Sequence, residues 1–172
     1  HISVEAYLGA IIAVIIIKSG FEMLRDTLSK ILGERADAQL ARDIKGTIMS
    51  YPEIKGAYDL ILHNYGPDSF NGSVHIEVPD TLTADELDQL TRKVTLDVYH
   101  KRNVILTGIG VYSFNTKDAE IVAIRERIFK IASENPYVLQ THGFYADKMR
   151  KTIRFDVIVS FDAKDRNLVY IS

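Results

Sequence analysis

A predicted β-hairpin near the middle of the chain constrains the fold more than any other stretch. Residues 58–64 and 73–78 alternate between apolar and polar side chains, and turn-forming residues lie between them, including Gly66-Pro67-Asp68 and Asn71-Gly72. Alternation is typical of half-buried strands, and Gly, Pro and Asn are typical of the turn that joins them. One face is apolar, with Leu60, Leu62, Val74, Ile76 and Val78. The other face carries Asp59, Ile61, His63, Ser73, His75 and Glu77, so we expect the chemistry of the chain there.

Two helices and a third strand are predicted around this hairpin. Residues 34–50 place Leu40, Ile44 and Ile48 at four-residue spacing, which is typical of an amphipathic helix. Thr83 and Glu86 form a capping-box pattern, which predicts that a second helix begins there. Residues 104–112 are typical of a strand that two glycines interrupt. The order αββαβ predicts a ferredoxin-like α+β domain with both helices on one side of its sheet and the other side open.

The same pattern then begins again. After Asn115 or Thr116, either of which could cap a helix, isoleucines recur at helical spacing, and residues 138–146 and 152–161 predict a second hairpin. Superimposing residues 54–60 on residues 138–144 places His142 at the position of Tyr58. We therefore predict three parts, residues 1–33, 34–115 and 116–172. The last is a second, incomplete αββ module, a degenerate repeat without its closing strand and with an open edge.

The first part contains a nearly uninterrupted apolar run. Residues 8–17 are apolar on all sides of a helix, and residues 4–24 would rise about 30 Å, close to the thickness of a bilayer's hydrocarbon core. Glu5, Lys18 and Glu22 weaken this interpretation, and a buried helix of a globular protein is the alternative. Arg25 and Lys30 follow the run and favour a cytoplasmic exit. The interpretation that we favour is a transmembrane helix.

The composition narrows the chemistry. The 172 residues include no cysteine, so a metal ion would need His, Asp or Glu ligands, which suits zinc, manganese or iron. The net charge is −2, with both signs mixed along the chain, so nucleic acid is not an expected partner. The sequence contains no phosphate loop and no readable nucleophile–base pattern, so we do not expect an enzyme. A chain that begins with His is expected to be a fragment of a longer protein.

The residues of the first hairpin also carry a resemblance to a known family. Residues 56–60 (Gly-Ala-Tyr-Asp-Leu), Gly66-Pro67 and residues 74–78 (Val-His-Ile-Glu-Val) resemble the cytoplasmic domain of cation diffusion facilitator transporters, in a form close to a bacterial subgroup. Residues 7–9 and 18–20 resemble the end of that family's membrane part. The resemblance implies the last transmembrane helix and the cytoplasmic domain of a proton-coupled exporter of divalent cations in the bacterial inner membrane.

The resemblance has further implications and leaves one alternative. It implies a homodimer in which metal binding shifts the two protomers, and a transport site on membrane helices that are not in this sequence. The alternative, from another class, is a stand-alone ferredoxin-like ligand-sensing or dimerisation module that carries a hydrophobic helix.

The resemblance also implies where a cytoplasmic metal site would lie. Tyr58 stands at the place of the family's first histidine, His75 matches the second, and Asp88 falls near the third. Ile109 and Val111 stand where the family carries a His-x-Asp pair. One histidine and one aspartate are too few for a tight four-coordinate site. We therefore expect weak binding of zinc or another divalent cation.

The residues themselves suggest two pairs of candidate metal ligands. His63 and His75 share a face of the first hairpin and could pair across its strands, and a solvated polar face is the alternative. His142 and Asp156 lie one on each strand of the second hairpin, and a hydrogen-bonded structural role is the alternative for His142. The candidate metal ligands are thus His63, His75, Asp88, His142 and Asp156.

Overall fold

A long exposed helix precedes the rest of the structure. The computed structural model describes residues 4–31, 38–66 and 69–163, and its first element is helix α1 (Val4–Ile31). Each side chain from residue 4 to residue 28 is exposed. The span Val4–Leu28 is long and apolar enough to cross a membrane, judged by length and composition, and the described residues bury none of it. The helix is therefore not a core helix of the described domain.

The first module has the predicted αββαβ order. It comprises α2 (Ala38–Ile48), β1 (Gly56–Asn64), β2 (Phe70–Pro79), α3 (Ala84–Arg102) and β3 (Val104–Phe114). The strand order is β1-β2-β3, with β1 antiparallel and β3 parallel to β2, so α3 is the crossover between β2 and β3. This is the strand pairing of a ferredoxin-like domain, and it confirms the predicted α+β class.

One face of this sheet packs against both helices. Ile44 and Ile48 of α2 and Val94 of α3 are fully buried in one cluster with Val74 and Ile76 of β2. The predicted apolar face of the hairpin is thus the core face. The predicted capping box of α3 is also present, because the Thr83 hydroxyl accepts from the Glu86 backbone N–H and the Glu86 carboxylate accepts from the Thr83 backbone N–H.

The second module is smaller and has its own two-stranded sheet. It comprises α4 (Ala119–Ser133), β4 (Val138–Asp147) and β5 (Thr152–Val159), and β4 and β5 are antiparallel. The cap of α4 is Asp118, and the prediction of Asn115 or Thr116 was wrong. Asn115 instead accepts from the Lys117 and Asp118 N–H groups in the turn before the helix. The predicted start of the first module's helix near residue 34 lies outside the described residues.

Both modules have a bulge at the same place in their first strand. The register of the first hairpin shifts between Tyr58 and Ile61, and that of the second shifts between His142 and Tyr145. These are the positions that the predicted repeat superimposes, since Tyr58 corresponds to His142. A bulge inserts one extra residue and re-aims the side chains around it. The two hairpins therefore share a bulge one residue after Tyr58 and one residue after His142.

The second face of the first sheet is covered in part, around Glu77 and Asp59, and there the expectation of an open face was wrong. Arg125 of α4 pairs with Glu77 of β2, with 3.1 Å between Nη2 and Oε1. Glu77 is only 4% exposed as a result. The physical reason is complementarity, because this face carries polar and aromatic side chains that find partners on the second module of the same chain.

Candidate functional site

Asp59 is the residue around which the candidate site is built. Its backbone has a φ of 51°, in the left-handed region that few residues other than glycine adopt and that Asp tolerates better than most. This conformation lies within the bulge of β1, and the Asp59 carboxylate reaches the face that carries His75. Such sparsely populated conformations cluster at functional sites, where the surrounding contacts hold them.

Three side chains approach the Asp59 carboxylate. His142 Nε2 lies 3.0 Å from Oδ1, and Tyr112 donates its hydroxyl hydrogen to Oδ2 over 2.9 Å. His75 Nδ1 lies 3.2 Å from Oδ2. This last contact is close but not aligned as a hydrogen bond, because His75 Nδ1 has no hydrogen-bond partner. The carboxylate therefore has one imidazole at each oxygen.

A second carboxylate, Asp156, lies at the edge of this group. It is directly opposite His142 in the register of the second hairpin. The Tyr112 hydroxyl lies 3.2 Å from Asp156 Oδ2, so one hydroxyl stands between two carboxylates that belong to different modules. Strands β1, β2, β3, β4 and β5 each contribute one of the residues Asp59, His75, Tyr112, His142 and Asp156.

Aromatic stacking fixes the two imidazole rings. The His142 ring stacks on Tyr58, with 4.6 Å between centroids and 11° between planes, and the His75 ring stacks on Tyr112 at 4.7 Å and 17°. Gly110 lies opposite His75 in the parallel register, and a Cβ there would collide with the His75 ring. Gly110, one of the two glycines that interrupt this strand, therefore makes room for the imidazole ring of His75.

Each imidazole has one buried nitrogen without a partner. His142 is 2% exposed, and neither its Nδ1 nor the Nδ1 of His75 makes a hydrogen bond. Buried polar atoms are satisfied in the large majority of cases, so two such atoms in one cluster are unusual. With a proton on Nε2, the Nδ1 of a neutral imidazole carries a free lone pair, which is the form that binds a metal ion.

The tyrosines of the cluster remain protonated. Burial, and then the hydrogen bond to Asp59, raise the pKa of Tyr112 well above its usual value. Burial, followed by the nearby Glu77 carboxylate, raises the pKa of Tyr58. Both side chains therefore act as hydroxyl donors and ring surfaces at neutral pH, and neither is suited to bind a metal ion as a phenolate.

The structure separates the candidate ligands into two groups. It brings His75, His142 and Asp156 together around Asp59. It leaves Asp88 exposed on α3, where its carboxylate pairs with Arg92 over 2.7 Å. The predicted cross-strand pair of His63 with His75 was wrong, because the register of the hairpin places His63 opposite Asn71 near the turn and His75 opposite Tyr58 near the other end.

No metal-binding arrangement is preformed among the residues that the structure describes. Within residues 4–31, 38–66 and 69–163, no group of three or more His, Asp or Glu side chains is arranged to hold a metal ion. Asp59 uses both of its oxygens in contacts with neighbouring side chains, one imidazole at each, so the donor atoms do not converge on one point. Binding would require these contacts to be exchanged for metal–ligand bonds.

Comparisons with known proteins show similarity to solved structures and no match to a family model or a curated protein. Among solved structures, the metal-bound C-terminal domain of the CzcD transporter from Thermotoga maritima is similar over 51% of this chain and 99% of its own, at 14% identity and a TM-score of 0.41. A variant of the MamM C-terminal domain in a cadmium form is similar over 48% and 100%, at 15% identity and a TM-score of 0.40. Values at this level assign neither a family nor a function.

Proposed function

We propose that this chain is the membrane exit and the cytoplasmic, metal-responsive part of a proton-coupled exporter of divalent cations. The observation that carries the proposal is the Asp59 cluster, in which two buried imidazole nitrogens have no partner beside two carboxylates. A divalent cation would satisfy these groups. The resemblance of residues 56–78 to the cation diffusion facilitator family, and the exposed apolar helix α1, support the same function.

The donor set decides which ions fit. His75 and His142 offer neutral imidazoles, and Asp59 and Asp156 offer carboxylates, a combination that suits zinc, manganese or iron. The free energy of binding is reduced by the contacts that the ligands already make with one another. We therefore expect binding far weaker than that of structural zinc, whose apparent binding free energy is roughly 10–16 kcal/mol in small peptides.

In this proposal the cation regulates the transporter because its ligands come from both modules. A cation that binds Asp59 and His75 of the first module together with His142 and Asp156 of the second would hold the two modules in one relative position. Such binding biases the conformation of a transporter only if the cation binds one state better than the other. In this proposal the domain lies on the cytoplasmic side of the bacterial inner membrane.

The proposal includes a homodimer. Large apolar side chains remain exposed on and beside the second hairpin, and a monomer rarely leaves many of them uncovered in one place. They are Leu139, Tyr145, Ile153, Phe155, Ile158 and Phe161. We propose that two copies associate through this surface, because the polar face of the first sheet is already covered.

Calorimetric titration of zinc into the full 172-residue chain in detergent micelles tests the metal site. We expect weak binding that is lost in both His75→Ala and His142→Ala and retained in His63→Ala, which is the matched control because His63 is an exposed histidine on the same hairpin. Binding should also weaken in acid, because a protonated imidazole has no lone pair for a metal ion.

Two outcomes would contradict the proposed site. If His75→Ala abolishes binding and His142→Ala leaves it intact, the second module does not contribute to the site. If no variant, including the unchanged chain, releases or absorbs heat beyond the control of zinc into buffer, the cluster is structural and the chain is not metal-responsive.

A further inference from the structure

The two modules are related by more than their order of elements. In the first hairpin the residue before the bulge, Tyr58, lies opposite His75, and in the second hairpin the residue before the bulge, His142, lies opposite Asp156. Within each bulge the next residue has a positive φ, 51° at Asp59 and 64° at Gly143. The two hairpins thus match in pairing, in register shift and in backbone conformation.

The matching residues also meet each other. Tyr58 and His142, which occupy the same position in the two modules, stack face to face with 4.6 Å between centroids and 11° between their planes. When two copies of one unit pair about a two-fold axis, a residue close to the axis meets its own equivalent. The Tyr58–His142 contact has this property, although both residues belong to one chain.

We propose that residues 119–159 act as a built-in partner of the first module, so that the two modules pair about an internal pseudo-two-fold axis that passes near Tyr58 and His142. The polar face of the first sheet is then a surface for pairing between like modules, and the chain's own second module occupies it. A second copy of the chain does not bind there.

The connection between the modules favours pairing within one chain. Only residues 115–118 separate the end of β3 from the start of α4. This link is fixed on both sides, because Thr116 donates its backbone N–H to Asp80 over 3.2 Å and Lys148 of the second module contacts Asp118 and Glu120. A short link gives the attached module an effective concentration of about millimolar or more, which a second copy in dilute solution cannot match.

Charge and burial at the interface agree with a permanent contact. The pair of Glu77 with Arg125 and the contact of Asp59 with His142 each join one module to the other. Glu77 and His142 are the buried members of these contacts. Separating the modules would deprive Glu77 of its counter-charge on Arg125 and would break the contact of Asp59 with His142.

Cysteine cross-linking tests this inference, since the chain contains no cysteine of its own. Tyr58→Cys, and the double variant Tyr58→Cys/His142→Cys, are treated with a short bismaleimide in detergent micelles. We expect the double variant to give a cross-link within one chain, detected by peptide mass spectrometry, and the single variant to give no covalent dimer. Met149→Cys, at a position 94% exposed, is the control for random collision.

A covalent dimer of the Tyr58→Cys single variant above the Met149→Cys control, or cross-links between chains in the double variant, would overturn the proposal. A second measurement needs no substitution. Hydrogen exchange of the β1 amides, which lie outside the surface proposed for the homodimer, should be independent of protein concentration over a hundredfold dilution, because the pairing is intramolecular. A loss of β1 protection on dilution would show that a second copy supplies the contact. Neither measurement involves metal, so the outcome is separate from that of the zinc titration.

Discussion

The first and second modules share a chain pattern but differ in how they are stabilised. The main core cluster, from Ile44 to Leu106, lies wholly within the first module. In the second module α4 has no buried residue and β5 has none, and the buried side chains of β4 are His142 and Phe144. The second module therefore depends on the first for much of its burial.

This difference indicates two levels of stability. Local opening free energies range from near zero up to the global value, and segments with few buried apolar contacts lie at the low end. The second module is attached to the first by the Glu77–Arg125 pair, by the Asp59 contacts and by the stacking of His142 on Tyr58. We expect it to open while the first module stays folded.

The largest expected effect comes from a substitution at the centre of the first module. Ile76→Ala removes a fully buried side chain of the central strand and should lower the free energy of unfolding by about 2–5 kcal/mol. Urea denaturation of the chain in detergent, followed by tyrosine fluorescence, measures the change. Ile158→Ala, at a residue 39% exposed in the second module, is the matched control and should cost much less. Equal losses at the two positions would mean that the modules do not differ as described.

The next prediction concerns a substitution whose effect on stability should be confined to the second module. Phe144→Ala removes the main apolar anchor of β4, a change that costs about 3–5 kcal/mol at a buried site. Hydrogen exchange of the β4 and β5 amides should accelerate by roughly a hundredfold to a few thousandfold, since each 1.4 kcal/mol is tenfold. Exchange in β2 should be unchanged. Phe155→Ala on β5, a more exposed position, is the control, and faster exchange in both modules would refute separate opening.

The smallest effect concerns a polar contact inside the first module. Tyr51 donates its hydroxyl hydrogen to Asp97 of α3 over 2.9 Å. Tyr51→Phe should lower the free energy of unfolding by about 0.5–1.5 kcal/mol and leave exchange in β4 unaffected. A change in β4 of similar size would show that the two modules are coupled more strongly than their contacts suggest.

The loss of unfolding free energy in Tyr51→Phe should depend on pH, because the hydrogen-bond acceptor is the Asp97 carboxyl group. Its pKa is lowered, first by the hydrogen bond from Tyr51 and then by Lys101. A lowered pKa in the folded state stabilises the protein above the ordinary pKa of the group and ceases to do so as the pH falls through the lowered value. The difference in unfolding free energy between the unchanged chain and Tyr51→Phe should therefore be largest at neutral pH and decrease below about pH 4.

Much of the first module was predictable because local signals agreed with the tertiary structure. The apolar alternation of β2 places Val74, Ile76 and Val78 in the core, and the Thr83–Glu86 capping box starts α3 as predicted. In the second hairpin His142 and Asp156 are opposite each other, as Tyr58 and His75 are in the first. These features depend on periodicity and capping, which are local properties of a sequence.

The features that were not predicted depend on a single backbone conformation and on contacts between modules. A positive φ at Asp59 lies within a bulge that shifts the register by one residue, and the partner of His63 depends on the position of the turn, which alternation alone does not fix. Asp59 and Tyr112 are central to the candidate site because of contacts around the junction of the two modules, and the sequence alone does not reveal those contacts. The one available signal was that Asp is among the few residues that tolerate this conformation, and it is too weak to predict a bulge.

The left-handed conformation of Asp59 sets two kinds of selection against each other. Glycine adopts this conformation without steric cost, so Asp59→Gly would relieve the backbone and remove the carboxylate in the same step. Selection for the contacts opposes this relief, because the replacement also removes the partner of His142 Nε2 and of the Tyr112 hydroxyl, and a buried group without its partner costs about 1–3 kcal/mol. In a population selected for thermal resistance, the residue found at position 59 would therefore report which of the two costs is larger.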